Sequence, residues 1–476
     1  MTSKRHYKLY LLAAMMLLLS VVMIACGDNT ATPAPAATTA AATSAAATTA
    51  AATTAAATTA AATTAAATSA AAATTAGTNA AATTVATATT AAAGGSQAGK
   101  PLVVGMITSR TGPLSYYGDM LEKGFNIGLD YFTKGTNTIQ GRQVKLMVED
   151  DAGDANKAVD AARKLVQQDG AEILVGTPSS TSALAIAAVN DKDLKKIFIV
   201  DPAASPDLTG AKYSQYTFHT GRNTDQDAAT GAAFAATTLA TKTKKIASIY
   251  QDNAFGQGSD ASWKEIATKT PGVQWIQIAV PATATDFTPY LQKALDAAPD
   301  VLLVSWAGTT SAKLYQQMKD NDIFSKMTVT GGVGDTATIK SLGDASLGFQ
   351  GMMVYWYQFP KTAENDYLVK QYKDKYNSVP DLFSPGGFSA ASALYTALTK
   401  TGGDATPDKM IPAMEGMSFP TPKGTMTFRK EDHQALQPMY IVKMVKDTTG
   451  TFSFPIPSLV KEVSAEESAP PIRNKK

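Results

Sequence analysis

Residues 171–189, AEILVGTPSSTSALAIAAV, pass from an apolar run through Gly176 and five hydroxyl residues into an Ala/Leu/Ile/Val segment of helical character. This is the layout of an anion-binding strand-to-helix turn. A phosphate loop of the form G-x-x-x-x-G-K-[ST] needs a lysine that meets the Mg-binding hydroxyl at the phosphate, and no lysine follows Gly176 in this stretch. The reading disfavours a nucleotide and leaves a weaker anion such as a carboxylate.

Outward from this turn the same alternation repeats. KPLVVGMITSRTGP (100–113) opens the series, and QVKLMVED (143–150) leads into DANKAVDAARKLVQQDG, where Val159, Ala162, Leu165 and Val166 share one helical face and Gly170 suits the exit. KIFIV (196–200), KIASIYQD (245–252) and DVLLVSW (300–306) are each followed by a loop or an amphipathic segment. Val/Ile-rich strands separated by helices predict an α/β fold with parallel sheets covered on both faces. Ligands of such sheets sit beyond the strand C-termini, where the hydroxyl-rich turn lies.

Composition narrows the function classes. The formal charge of +2 is near balance with no basic run, which disfavours nucleic-acid binding. His219 and His433, without a nearby cysteine, make no convincing zinc site, and no metal or other cofactor is expected. EDDAGD (149–154) lacks the glycine and glutamate of a calcium loop and reads as a strand-to-helix loop with Asp154 near the cap. Neither G-x-S-x-G nor G-x-G-x-x-G occurs where a hydrolase or a dinucleotide fold needs it, so an enzyme is not expected.

The N-terminal region resembles a bacterial lipoprotein signal. Lys4, Arg5 and Lys8 precede an apolar run from Leu9 to Ala25, and MIACG then holds the single cysteine, Cys26. The resemblance implies removal of residues 1–25 and a lipid on Cys26, hence an extracytoplasmic chain anchored to the cell membrane. Met23 stands where that signal usually has leucine. Residues 26–100 carry the near-repeat AAATTAAATTAAATT and read as a flexible tether, which as a coil of about 70 residues would average about 45–50 Å end to end.

With these elements in order, residues 102–447 resemble a type I periplasmic binding protein of the branched-chain amino-acid and amide branch. TGPLSYYGD (111–119), VEDDAGDANKAVDAARKLV (148–166), GTPSSTSA (176–183), DPAASPDLT (201–209), YQDNAFGQG (250–258) and PTPKGTMTF (420–428) carry the resemblance jointly. It implies two Rossmann-like lobes with parallel sheets joined by a three-strand hinge. Lobe one is expected over 101–221 and 358–421, lobe two over 222–357 and 422–450, with crossings near His219–Asn223, Tyr355–Phe359 and Pro420–Gly424, and a loose tail over 451–476.

The resemblance also implies a ligand site. Ser180 and Thr181, with Ala203 and Ser205, would hold a carboxylate, while Tyr117, Phe255, Trp306 and Phe383 would wall the ligand. Tyr116 is the alternative to Tyr117, and Phe388 to Phe383; each aromatic could instead belong to a lobe core. Relatives that bind amino acids place a glutamate against the ammonium, and Gly331 takes its position here. Asp335 is a substitute from one turn away, although an Asp before TATIKSL is commonly a helix N-cap. A buried ammonium without a countercharge costs several kcal/mol, which puts an amino acid in doubt, and a carboxylate lacking the amine, such as an aromatic or branched aliphatic acid, or a neutral amide fits at least as well.

The implied function is capture of a small carboxylate-bearing ligand, a branched-chain or other amino acid or a related organic acid or amide, by hinge closure for an ABC importer, with permease subunits as partners and the chain as a monomer. A sensory binding protein serving a chemoreceptor or kinase is the second reading.

Overall fold

A computed structural model describes residues 99–238 and 245–474. The expected signal peptide, the lipid-bearing Cys26 and the Ala/Thr tether lie outside the described residues.

Six strands build the first sheet: β1 (Leu102–Thr108), β2 (Thr138–Ile139), β3 (Arg142–Asp150), β4 (Ile173–Gly176), β5 (Ile197–Val200) and β6 (Thr217–His219), in the order β2-β3-β1-β4-β5-β6. All pairings but β2 with β3 are parallel. Successive side chains of a strand face opposite ways, which is why the apolar runs are continuous. Ile173, Val175, Ile197 and Ile199 enter one core with helix Ser384–Lys400, while Leu174, Phe198 and Val200 enter another with helices Ala155–Gln167 and Ser180–Val189. Each such side chain contributes about 1.5–3 kcal/mol of burial. Asp154 caps the Ala155 helix, accepting N–H groups from Asn156 and Lys157.

The second sheet is parallel, β10-β9-β7-β8, from β7 (Lys245–Asp252), β8 (Gln274–Pro281), β9 (Val301–Ser305) and β10 (Thr328–Gly331). Beside it, β11 (Gln350–Met353) pairs antiparallel with a later strand, Met439–Val445, and Gly332 bridges to Met352. The result is the parallel-sheet α/β architecture that the alternating pattern predicts, in the two lobes that the resemblance implies.

Two expectations fail. Strands β12 (Ser418–Thr421), β13 (Gly424–Phe428) and β14 (Ala435–Leu436) form one small sheet whose Phe419, Met426, Phe428 and Ala435 pack in the core with Leu102 and Val104. The last crossing therefore falls after β14, before β15 (Met439–Val445), and not at Pro420–Gly424, because a hairpin keeps its apolar face on the core where it starts. Nor is the tail loose throughout: β16 (Ile456–Val463) pairs antiparallel along β15, and Arg473 forms ion pairs with Asp225 (2.7 Å) and Glu265 (2.6 Å). An exposed edge strand tolerates Lys, Glu and Pro, so its composition imitates a linker.

Candidate functional site: an interlobe cavity

The loops beyond β1, β3 and β4 are tied by one buried carboxylate. Asp151 accepts Ser109 Oγ at 2.6 Å and Thr177 Oγ1 at 2.5 Å. Gly176 lets the chain turn there: its φ is 140°, and a Cβ would lie 1.9 Å from the Ile107 carbonyl oxygen. Ser179 then caps the helix Ser180–Val189, its Oγ accepting the Ser182 N–H at 3.2 Å. The N–H groups of Ser180 and Thr181 lie in the first turn, where no intrahelical acceptor exists. Both residues line a cavity of about 510 Å³, within the range of about 300–1,000 Å³ usual for small-molecule sites.

Both lobes supply its walls. Tyr117 and Phe383 meet edge to face with ring centroids 4.9 Å apart. Across from them stand Phe255, Trp263 and Trp306, with Trp306 fixed by its Nε1–H to Thr310 Oγ1 (2.9 Å) and by an edge contact to Phe287 (5.0 Å). Tyr116 is 40% exposed and hydrogen-bonds Asp381, and Phe388 is core beside Leu368, so neither alternative aromatic lines the cavity.

Ala203, Ser205 and Asp335, expected at the site, do not line this cavity. The Ala203 N–H donates to Thr177 O and its carbonyl accepts His219 Nε2–H at 2.7 Å, so its backbone is already used. Ser205 turns its Oγ to the Asp207 N–H. Asp335 caps helix Thr336–Leu342 through the Thr338 N–H (2.8 Å) and accepts Tyr117 Oη–H (3.0 Å), which occupies both oxygens. Gly331 also sits behind the wall, with φ 144° and Val304 O 2.4 Å from where a Cβ would be. The turn presents Gly332, Val333 and Gly334 instead, none of them charged.

Sequence reading missed Arg222, Asp227 and Trp263. Arg222 leaves the first lobe just after β6; its Nη1 donates to Pro202 O at 3.3 Å, and its guanidinium lies 5.4 Å from the Phe383 ring centroid. Asp227 faces it, Oδ1 3.4 Å from Nε. Burial pushes the Asp227 carboxyl above the usual carboxylate range, against the pull of Arg222. Trp263 had a legible signal, because Phe255, Ser259 and Trp263 recur every fourth residue and share one face of helix Ala254–Ala267.

Residues 101–449 match the family model described as periplasmic binding protein. The chain belongs to this family. Type I periplasmic binding proteins of this kind bind solutes, which agrees with a cavity between two lobes. The chain is 38% identical to a protein from Rhodopseudomonas palustris described as an ABC-type branched-chain amino acid transporter, covering 79% of this chain and 100% of that one with a TM-score of 0.66. A solute binding protein of an ABC transporter from another strain of that species, solved in complex with 3,4-dihydroxybenzoic acid, is 27% identical over 77% of this chain and 98% of its own, with a TM-score of 0.69. The leucine-, isoleucine-, valine-, threonine- and alanine-binding protein of Pseudomonas aeruginosa is 25% identical, covering 75% of this chain and 93% of that one.

Proposed function

We propose that this chain is the solute-capturing subunit of an ABC importer, held outside the cytoplasm by a lipid on Cys26, and that its ligand is a small organic acid without an amine. The observation that carries the reading is the cavity itself. Free N–H donors of Ser180 and Thr181 mark one end of it, where the helix dipole favours an anion. Aromatic and apolar side chains make up much of the rest, and the turn at Gly332–Gly334 brings no carboxylate to meet an ammonium. The relative solved with 3,4-dihydroxybenzoic acid supports an aromatic acid as one candidate, and those named for branched-chain amino acids support a branched aliphatic skeleton as the other.

Capture proceeds by closure. The Thr309 N–H donates to Pro113 O at 2.9 Å and the Thr336 N–H to Asp381 Oδ2 at 2.9 Å, each bond joining the two lobes over the cavity. In this reading opening breaks them, and a bound acid offsets the cost of ordering the closed form. Delivery to permease subunits in the membrane follows. Mass spectrometry of the small molecule that copurifies with the protein tests the reading: an organic acid supports it, and a peptide, sugar or nucleotide refutes it.

A further inference from the structure

Gln251 also lines the cavity, although it is only 6% exposed. It follows Ala247 and Ile249 on one face of β7, and those two residues lie in the second lobe's apolar core with Phe287 and Leu314. Other polar side chains of the wall are already engaged. Ser259 and Ser305 share a hydrogen bond of 2.8 Å, and Asn253 Oδ1 accepts the Gly256 N–H at 3.0 Å. The Gln251 amide makes no hydrogen bond among the described residues, and it is not sealed off. Gln226 Nε2 and Ser248 Oγ are unpartnered and closed to solvent, whereas neither polar atom of the Gln251 side chain is closed in this way. Burying an amide without a partner is costly, and an apolar side chain would continue the core at less cost. A group carried by the ligand is placed to meet it.

The chemistry of the amide restricts what that group is. A carboxamide presents an acceptor, Oε1, beside a donor, Nε2, and carries no charge. A carboxylate would meet only the donor, and an ammonium only the acceptor. A hydroxyl meets either atom, and two hydroxyls on neighbouring carbons meet both. The surroundings favour an aromatic ring as the carrier. β7 pairs with β9 at Tyr250 and Ser305, so the next residues, Gln251 and Trp306, follow side by side, and Phe255 lines the cavity from the helix after β7. Resting on the proposed capture of a small acid, we infer that Gln251 reads hydroxyl substituents on an aromatic ligand whose carboxylate lies at Ser180 and Thr181, and so sets a preference for ring-hydroxylated over unsubstituted aromatic acids.

The test is calorimetric titration of the full chain with 3,4-dihydroxybenzoate, benzoate and 4-methylpentanoate, in wild type and in Gln251→Met, which keeps the length of the side chain and removes the amide. Wild type is expected to prefer the dihydroxylated acid over benzoate by about tenfold or more. In the variant that ratio is expected to fall to within about twofold, with benzoate affinity within about twofold of wild type. The urea midpoint of the variant should be no lower than that of wild type, since the amide has no protein partner to lose. A variant that unfolds, or that loses both aromatic acids to the same degree, assigns the amide to the fold and overturns the inference. A ratio unchanged in the variant overturns it as well, as does a wild type that shows no preference for the hydroxylated acid or binds neither aromatic acid. In each of these cases 4-methylpentanoate or benzoate that still binds wild type leaves acid capture standing, whereas failure of all three acids refutes that reading too.

Discussion

Tyr117 and Asp335 join the two lobes directly: Tyr117 Oη donates to Asp335 Oδ2 at 3.0 Å while accepting the Gly308 N–H at 3.3 Å. Tyr117 belongs to the helix Ser115–Thr133 beside the first sheet, and Asp335 opens the helix that follows β10 in the second. Burial and the neighbouring carboxylate hold the phenol well above its ordinary pKa, so it remains a donor at any physiological pH. Tyr117→Phe keeps the ring on Phe383 but removes both bonds. Affinity for any acid that binds wild type is expected to drop by about 1–2 kcal/mol, or about five- to thirtyfold, in calorimetric titration. Unchanged affinity would mean that these bonds do not contribute to closure.

Ser180 and Ser205 should separate cleanly. Ser180 Oγ accepts the Ala204 N–H at 3.0 Å, and Ser180 also lines the cavity. Ser180→Ala strands a buried donor, so a loss of about 1–3 kcal/mol in stability together with weaker ligand binding is expected. Ser205→Ala removes only a cap at Asp207, costing about 0.5–2 kcal/mol of stability at most, with affinity within about twofold of wild type. Denaturant unfolding and titration of both variants check the contrast.

The parts of this fold written in local pattern were readable beforehand. Continuous Val/Ile runs announce strands buried on both faces, and the Ser179 cap with its trailing hydroxyls announces the helix start at the cavity. Positions fixed by a partner far away were not. Whether Asp335 faces ligand or caps a helix depends on where Tyr117, from the other lobe, places its hydroxyl. Arg222 reaches the cavity because Pro202 and Phe383 hold it there, and no pattern around residue 222 encodes either contact. The edge strand Ile456–Val463 was hidden for a compositional reason, since most of its side chains face solvent.

His219 gives the loop before the cavity a pH dependence. Its Nε2–H holds the Ala203 carbonyl at 2.7 Å, and burial lowers its pKa from 6.5 to about 4. A folded-state value below the unfolded one means that the neutral ring is favoured in the native protein. Its contribution is full above about pH 6.5 and is lost as pH falls toward 4, by an amount on the order of 3 kcal/mol. Asp201, raised to about 7 chiefly by burial, works in the opposite sense over much of that range. The comparison must therefore be with His219→Gln, which keeps a donor without the titration. The stability advantage of wild type over this variant should shrink between pH 6.5 and pH 4.5 in chemical denaturation; a constant difference would show that the ring titrates alike in both states.

The central claim is that the interlobe cavity holds an acid through the N–H groups of Ser180 and Thr181 and that its Gly332–Gly334 turn brings no carboxylate to meet an ammonium. Its most direct test is calorimetric titration with leucine and with 4-methylpentanoate, its deaminated analogue. The account predicts that 4-methylpentanoate binds about tenfold or more tightly than leucine. Tighter binding of leucine would contradict it.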